Sequence, residues 1–344
     1  DPRLQALIES AIDNNRDLLA ATARIEQARA RYRIEDSRRL PTVVGTASAT
    51  RSRVPLGTAD GGGATVTDPE IDNDNSEGPA AITSNRFDIG VGVPGFELDF
   101  WGRVANLSDA ARARYLSTVA AQRAFYLSLI ADVASTYYEL LETRDQIELA
   151  RATAQSRAEG LRIARLRLDS GVTSALPFRQ AETLLTQAEQ QVAVQELAAA
   201  RLQNQLAVLV GGRIPQTLPP GIAFGDRPDL PPLNAGLPSD LMLVRPDIIA
   251  AEETLRAARA DIGAARAAFF PTISLTGNAG FASDSLGGLF GGDALTWSFG
   301  PSISLPIFDW GAREADLDFA RATETEAVAN YDLAVQNAFR EVSD

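Results

Sequence analysis

Two spacings alternate along the chain: long stretches with apolar residues three or four apart, and short ones with apolar residues two apart. Leu4, Leu7, Ile8, Ile12, Leu18, Leu19 and Ile25 recur mostly at helical spacing and predict a helix over 2–37. Val43, Ala47 and Ala49 then alternate with Thr42, Val44, Thr46 and Ser48, and Phe87, Ile89, Val91 and Val93 repeat the period of two. Strands are therefore predicted over 41–53 and 85–100. From Trp101 to Leu168 the helical pattern is interrupted only by Gly160. A helix of that length would reach about 100 Å at ~1.5 Å per residue, too long for a globular domain. A turn over 169–174 follows, then a return helix over 175–210. Along it Ala181, Leu185, Ala188, Val192, Gln195, Ala199, Leu202, Leu206 and Leu209 recur at steps of four and three, a heptad seam with one polar member.

The pattern then repeats. Displaced by 230 residues, Asp17-Leu18 falls on Asp247-Ile248, Ala28-Arg29-Ala30 on Ala258-Arg259-Ala260, and Pro41-Thr42-Val43 on Pro271-Thr272-Ile273. Displaced by 209, Trp101-Gly102 falls on Trp310-Gly311 and Ala111-Arg112-Ala113 on Ala320-Arg321-Ala322. The 21 extra residues of the first copy belong to the Gly- and Asp-rich run from Leu56 to Ala80, which reads as a solvated loop. In the second copy a helix is expected from Ser239, its N-cap, to just before Pro271, with strands over 271–283 and 295–308. Trp297, Phe299, Ile303, Leu305 and Ile307 form the apolar row of the last strand. The division expected is a first repeat over 1–210, a Pro-rich connector over 211–240 and a second repeat over 239–344. By the displacement of 209, the second long helix, its turn and its return helix would extend to roughly residue 419.

Lengths and counts constrain the assembly. The first and return helices together match the long one, so two shorter helices could lie end to end along it. Period-two strands with small polar residues on the alternate face suit a barrel with lipid outside and water inside; a sandwich strand with one wet face has the same pattern. Four strands cannot close a membrane barrel, for which about eight is the usual minimum, and an open edge in lipid would strand backbone groups at several kcal/mol each. If these strands sit in a membrane, several chains must share one barrel.

Composition removes most chemistry. All 32 basic residues are arginine, and lysine, histidine and cysteine are absent. This excludes disulfides, thiolate or imidazole catalysis, Cys or His metal ligands and Schiff bases. With 45 acidic residues the net charge is −13, which argues against nucleic-acid binding. No apolar run is long enough for a membrane-spanning helix, and a secretory leader, if made, is expected to precede Asp1. Acidic residues are plentiful, but none is marked by spacing as a paired-carboxylate site such as that of a glycosidase. A soluble coiled-coil scaffold explains the heptads but not the two pairs of amphipathic strands.

Several segments, in order and across nearly the whole chain, resemble one family. They are Asn14-Asn15-Arg16-Asp17-Leu18, Glu97-Leu98-Asp99-Phe100-Trp101-Gly102-Arg103, Gly171-Val172-Thr173-Ser174-Ala175-Leu176, Leu237-Pro238-Ser239-Asp240-Leu241, Arg245-Pro246-Asp247-Ile248, Ile262-Gly263-Ala264-Ala265-Arg266 with Phe269-Phe270-Pro271, and Leu305-Pro306-Ile307-Phe308. The sequence resembles the TolC family of Gram-negative outer-membrane factors, in its OprM-like (NodT) branch. The resemblance implies a mainly α fold with a small membrane β part, and a homotrimer with a 12-stranded outer-membrane barrel and a periplasmic α-barrel. It implies a passive exit duct working with a periplasmic adaptor (membrane fusion) protein and an inner-membrane RND-type pump, in contact with outer-membrane lipid. No cofactor, metal or catalytic residue is implied. A protein-secretion duct of the type I kind is the alternative. Mature members often begin at a lipidated cysteine and carry much of their gate on the second hairpin. The family's adaptor-contacting tip maps here onto Arg167, Leu168, Gly171, Val172, Thr173, Ser174 and Leu176. Leu168 stands where an aromatic is usual and Pro177 where an acidic residue is common. Gly171 would permit the reversal, with Val172 and Leu176 as apolar knobs beside Arg167.

Overall fold

A computed structural model describes residues 1–55, 81–214, 217–222 and 244–343. The Gly- and Asp-rich run, the Ser239 cap and most of the connector's prolines lie outside the described residues. Two compact units are present, each assembled from separate stretches of chain. The first takes residues 1–28, 115–253 and 330–344, the second 29–114 and 254–329.

The first unit is helical. α1 (Pro2–Asn14) is capped by Asp1, whose carboxylate accepts the Arg3 N–H at 2.9 Å and the Tyr137 hydroxyl at 3.0 Å. The single helix expected over 2–37 is in fact two, because Asn15 is extended (φ −61°, ψ 126°) and α2 (Arg16–Ser37) starts afresh. Apolar spacing continues across this break, which is why the pattern did not reveal it. α3 spans Arg103–Asp169 and α4 spans Ala175–Leu209, joined by a short turn. Their shared face explains the hairpin. Among the buried residues of α3, Leu129, Val133, Thr136, Leu140, Thr143, Ile147 and Ala150 form a row at steps of four and three. Two members are threonines, so hydrophobicity alone hid this seam. Thr143 turns its hydroxyl to the Glu139 carbonyl at 2.8 Å, and Thr136 accepts from Gln205 of α4 at 3.3 Å. Ala188, Ala199 and Leu206 of α4 are buried opposite, and Leu7, Ala11 and Leu18 complete the core at the base.

The second unit centres on four strands, β1 (Val44–Pro55), β2 (Ala81–Leu98), β3 (Thr272–Ser283) and β4 (Leu295–Ser304). They form one antiparallel sheet in chain order, so β1 and β4 are its edges. β4 ends at Ser304, leaving Leu305 and Ile307 outside the strand that was expected to reach 308; Pro306 has no N–H for a ladder. Strand alternation is otherwise kept through a bulge in β2 at Pro94–Gly95. α5 (Pro246–Ala267) and α6 (Ala312–Ser343) lead into β3 and out of β4. Gly263 of α5 lies so close to Asn106 of α3 that a Cβ would come within 2.5 Å of the amide oxygen. Trp101 and Gly102, placed in the long helix by pattern, precede it, Gly102 at φ +76°.

Candidate functional site

Register sorts the strand side chains onto two chemically different faces. One face carries Ile273, Leu275, Ala279 and Phe281 of β3 opposite Ile303, Pro301, Trp297 and Leu295 of β4. The same face of β2 presents Ile89, Val91, Phe96 and Leu98. Eight residue steps on β3 at ~3.4 Å and ~40° tilt cover roughly 20 Å of height, close to the apolar band of about 25 Å on outer-membrane barrels. Above it, on β1, stand Arg51 and Arg53, opposite Asn85 and Thr83.

The other face is polar and concave. Thr46, Asp88, Gly90, Thr276, Asn278 and Ser298 line its hollow. Its side chains bond to one another across the strands: Ser48 to Asp88 at 3.3 Å, Ser274 with Ser302 at 2.8 Å, and Ser298 to Asn278 at 3.1 Å. Arg86 pairs with Asp88 at 2.9 Å, so cation and anion both face the hollow. The concavity needs glycine at its centre. Gly90 faces Gly280, and a Cβ on Gly280 would sit 2.3 Å from the Ile89 carbonyl oxygen. Such an arrangement can hold water on one side and lipid on the other.

Where the strands meet the helices, aromatic rings collect. Trp101 stacks on Phe270 with centroids 4.7 Å apart and donates its indole N–H to the Pro271 carbonyl at 2.8 Å. Phe308 meets Trp310 edge-on at 4.7 Å, and the Arg313 guanidinium lies over Phe269. Arg313 also holds the Asp309 carboxyl below its usual range through a direct hydrogen bond. Aromatic girdles of this kind mark membrane–water interfaces.

The residues proposed for the tip are brought together in a Schellman closure. The Val172 N–H reaches the Arg167 carbonyl at 3.0 Å and the Gly171 N–H reaches Leu168 at 2.9 Å, with Gly171 at φ +72°. Ser174 opens α4 as its N-cap, in an extended conformation without a side-chain bond. Val172 and Leu176 are 76% and 64% exposed, Leu168 and Thr173 partly covered. Arg167 is exposed and has no carboxylate partner among the described residues. One feature escaped the sequence reading. Phe178 lies between the Arg165 and Arg179 guanidiniums at 5.3 and 5.5 Å, and Arg165 also reaches Asp169. Arg165 and Phe178 sit on different helices, so no spacing signal could have joined them.

Comparison with known proteins places this geometry. The profile of the outer membrane efflux protein family matches residues 7–212 and 237–344. The solvent efflux pump outer membrane protein SrpC of Pseudomonas putida is 42% identical over 344 residues, all of this chain and 69% of that protein. OprJ of Pseudomonas aeruginosa is 39% identical, over all of this chain and 68% of its own length. Among solved structures, a membrane protein from Pseudomonas aeruginosa superposes with a TM-score of 0.83 at 37% identity, covering 99% of this chain and 75% of that one. The MtrE outer membrane channel of Neisseria gonorrhoeae gives 0.80 at 37%, covering 98% and 71%. A two-faced sheet, a long helical hairpin and relatives of this kind lead to one assignment: the chain belongs to the outer membrane efflux protein family, as an efflux-channel component of the Gram-negative outer membrane.

Proposed function

We propose that three copies of this chain build one 12-stranded barrel and a periplasmic helical tube, and that the pair forms a passive exit duct for small molecules. The observation that carries this reading is the four-stranded sheet with one apolar face, one polar concave face and two edges left unpaired among the described residues. Such a sheet buries its edges in lipid only by pairing with further copies. The relatives are named for solvents, toluene and antibiotics, which favours small-molecule efflux over protein secretion. Energy and selection then belong to an inner-membrane pump, and this chain performs no catalytic step. Residues 1–210 and 239–344 act as the two repeats, with 211–240 as the connector between them. Arg167, Leu168, Gly171, Val172, Thr173, Ser174 and Leu176 form the surface that meets the adaptor, by apolar contact at Val172 and Leu176 and charge pairing at Arg167.

Single-channel recording in planar bilayers tests the duct. Stable salt-dependent conductance from a trimeric species is expected, and Asp88→Asn lowers its preference for cations. A protein that stays soluble without detergent and never conducts overturns the reading. Leu176→Glu leaves conductance intact while weakening capture of the adaptor; equal capture by both proteins removes the tip from the contact.

A further inference from the structure

Trp101 and Trp310 occupy equivalent places in the two repeats but not equivalent surroundings. Trp101 closes the seam between β2 and β3 by stacking on Phe270 and donating to the Pro271 carbonyl. It is 47% exposed. The displacement of 209 carries Trp101 onto Trp310, and that of 230 carries Phe270-Pro271 onto Leu40-Pro41. Within the chain these two sites do not meet. Trp310 is 90% exposed and Leu40 71%, and Pro41 is exposed where Pro271 is partly covered. Trp310 is also at φ +57°, the one non-glycine residue with positive φ among the described residues.

The strands beside them show the same asymmetry. β2 pairs with β3, whereas the equivalent edges, β4 and β1, are unpaired among the described residues. β4 lacks the bulge at Pro94–Gly95, so above that level it matches β2 at a displacement of 210. Val93, opposite Gly277, then becomes Ile303, and Gly277 becomes Ala47. Ile89 opposite Phe281 becomes Phe299 opposite Arg51, and Phe87 opposite Ser283 becomes Trp297 opposite Arg53. The outward row of one strand meets the outward row of the other throughout, and the two outward arginines come to rest against aromatic rings, a favourable pairing.

From this we infer that the β2–β3 seam is the template for a seam between copies. β4 of one copy pairs with β1 of the next in the register Ile303 to Ala47, and the Trp310 indole covers the Leu40–Pro41 corner of that neighbouring copy, donating to the Pro41 carbonyl. The inference rests on the trimeric reading above and adds its register and its latch. An aliphatic Leu40 in place of Phe270 makes the second contact a ring-on-methyl packing rather than a stack, with the N–H donor kept.

The absence of cysteine makes the test clean, since every cross-link comes from introduced pairs. In detergent-solubilised trimers, oxidation of Ala47→Cys with Ile303→Cys is expected to give a covalent trimer on non-reducing gels. The slipped pair Ala49→Cys with Ile303→Cys gives none, and the in-chain pair Val93→Cys with Gly277→Cys leaves monomer mobility. In a Trp101→Phe, Trp297→Phe background, Trp310 emission shifts to shorter wavelength on assembly. Trp310→Ala lowers the trimer's melting temperature by roughly 2–4 °C, and Trp310→Phe by less. A trimer by light scattering that cross-links only through the slipped pair, or not at all, overturns the register. Trp310 emission still typical of indole in water overturns the latch. Failure to find any trimer by scattering sinks the underlying assembly and this seam with it.

Discussion

The side-chain amide of Asn15 meets two backbone groups that neither neighbouring helix can satisfy for itself. Its NH2 donates to the Leu209 carbonyl at the end of α4 at 2.8 Å, and its oxygen accepts the Leu18 N–H in the first turn of α2 at 2.9 Å. Asn15 is buried, so water cannot replace either bond. Asn15→Ala is expected to lower stability by about 2–4 kcal/mol in denaturant unfolding, combining a lost cap with a stranded buried carbonyl. Two aspartates of α5 differ in a way that pH separates. Burial pushes the Asp247 carboxyl up, but the Arg245 hydrogen bond and charge outweigh it and hold the group below its usual value. Its contribution is therefore present above the ordinary carboxylate range and is lost as pH falls through the depressed folded value. Burial pushes Asp261 up, and here the Arg114 charge and hydrogen bond only partly offset it. Its ionised form is the less favoured in the fold, so any stability it adds is lost as pH rises. Thermal melts from about pH 7 down to about pH 3 should show Asp247→Asn flattening the acid limb, while Asp261→Asn costs little at neutral pH.

At the scale of elements, glycine positions separate crowding from conformation. Gly280 and Gly277 both lie on β3, yet a Cβ on the first would strike the Ile89 carbonyl, whereas on the second its nearest contact is 3.6 Å away. Gly280→Ala is expected to destabilise the β2–β3 pair by about 1–3 kcal/mol and Gly277→Ala to be tolerated, read from trimer melting on gels. In the hairpin, Gly171 closes α3 at φ +72° with open space around it, so Gly171→Ala costs about 1 kcal/mol through backbone conformation alone. Gly160 sits within α3 with nothing near it, and Gly160→Ala gains up to about 1 kcal/mol. Opposite signs from two exposed glycines on one hairpin are a direct check on the turn.

At the scale of the whole molecule, the four strands make a surface that is complete only with further strands, so stability and assembly are linked. Melting temperature should rise with protein concentration in detergent, and dilution should lower it. The repeat, the helix and strand types and the family were all legible in the sequence. The repeat and the element types follow from spacing, a property of local chain geometry (3.6 residues per helical turn and two per strand period), and the family from the resemblance of segments such as Glu97–Arg103 and Gly171–Leu176. The tip reversal was legible too, because Gly171 ends a helix by its own backbone freedom. The break at Asn15, the two threonines of the α3 seam and the Phe178 cage were not. Each depends on a partner far along the chain, Leu209 for Asn15, Gln205 for Thr136 and Arg165 for Phe178. Spacing records which face a residue occupies; what lies opposite that face is decided only when the elements pack. The same holds for the apolar rows. The sequence determined that they alternate, and the tertiary structure decided that the polar row lines the concave side, because only there does the Gly90–Gly280 approach let the sheet bend.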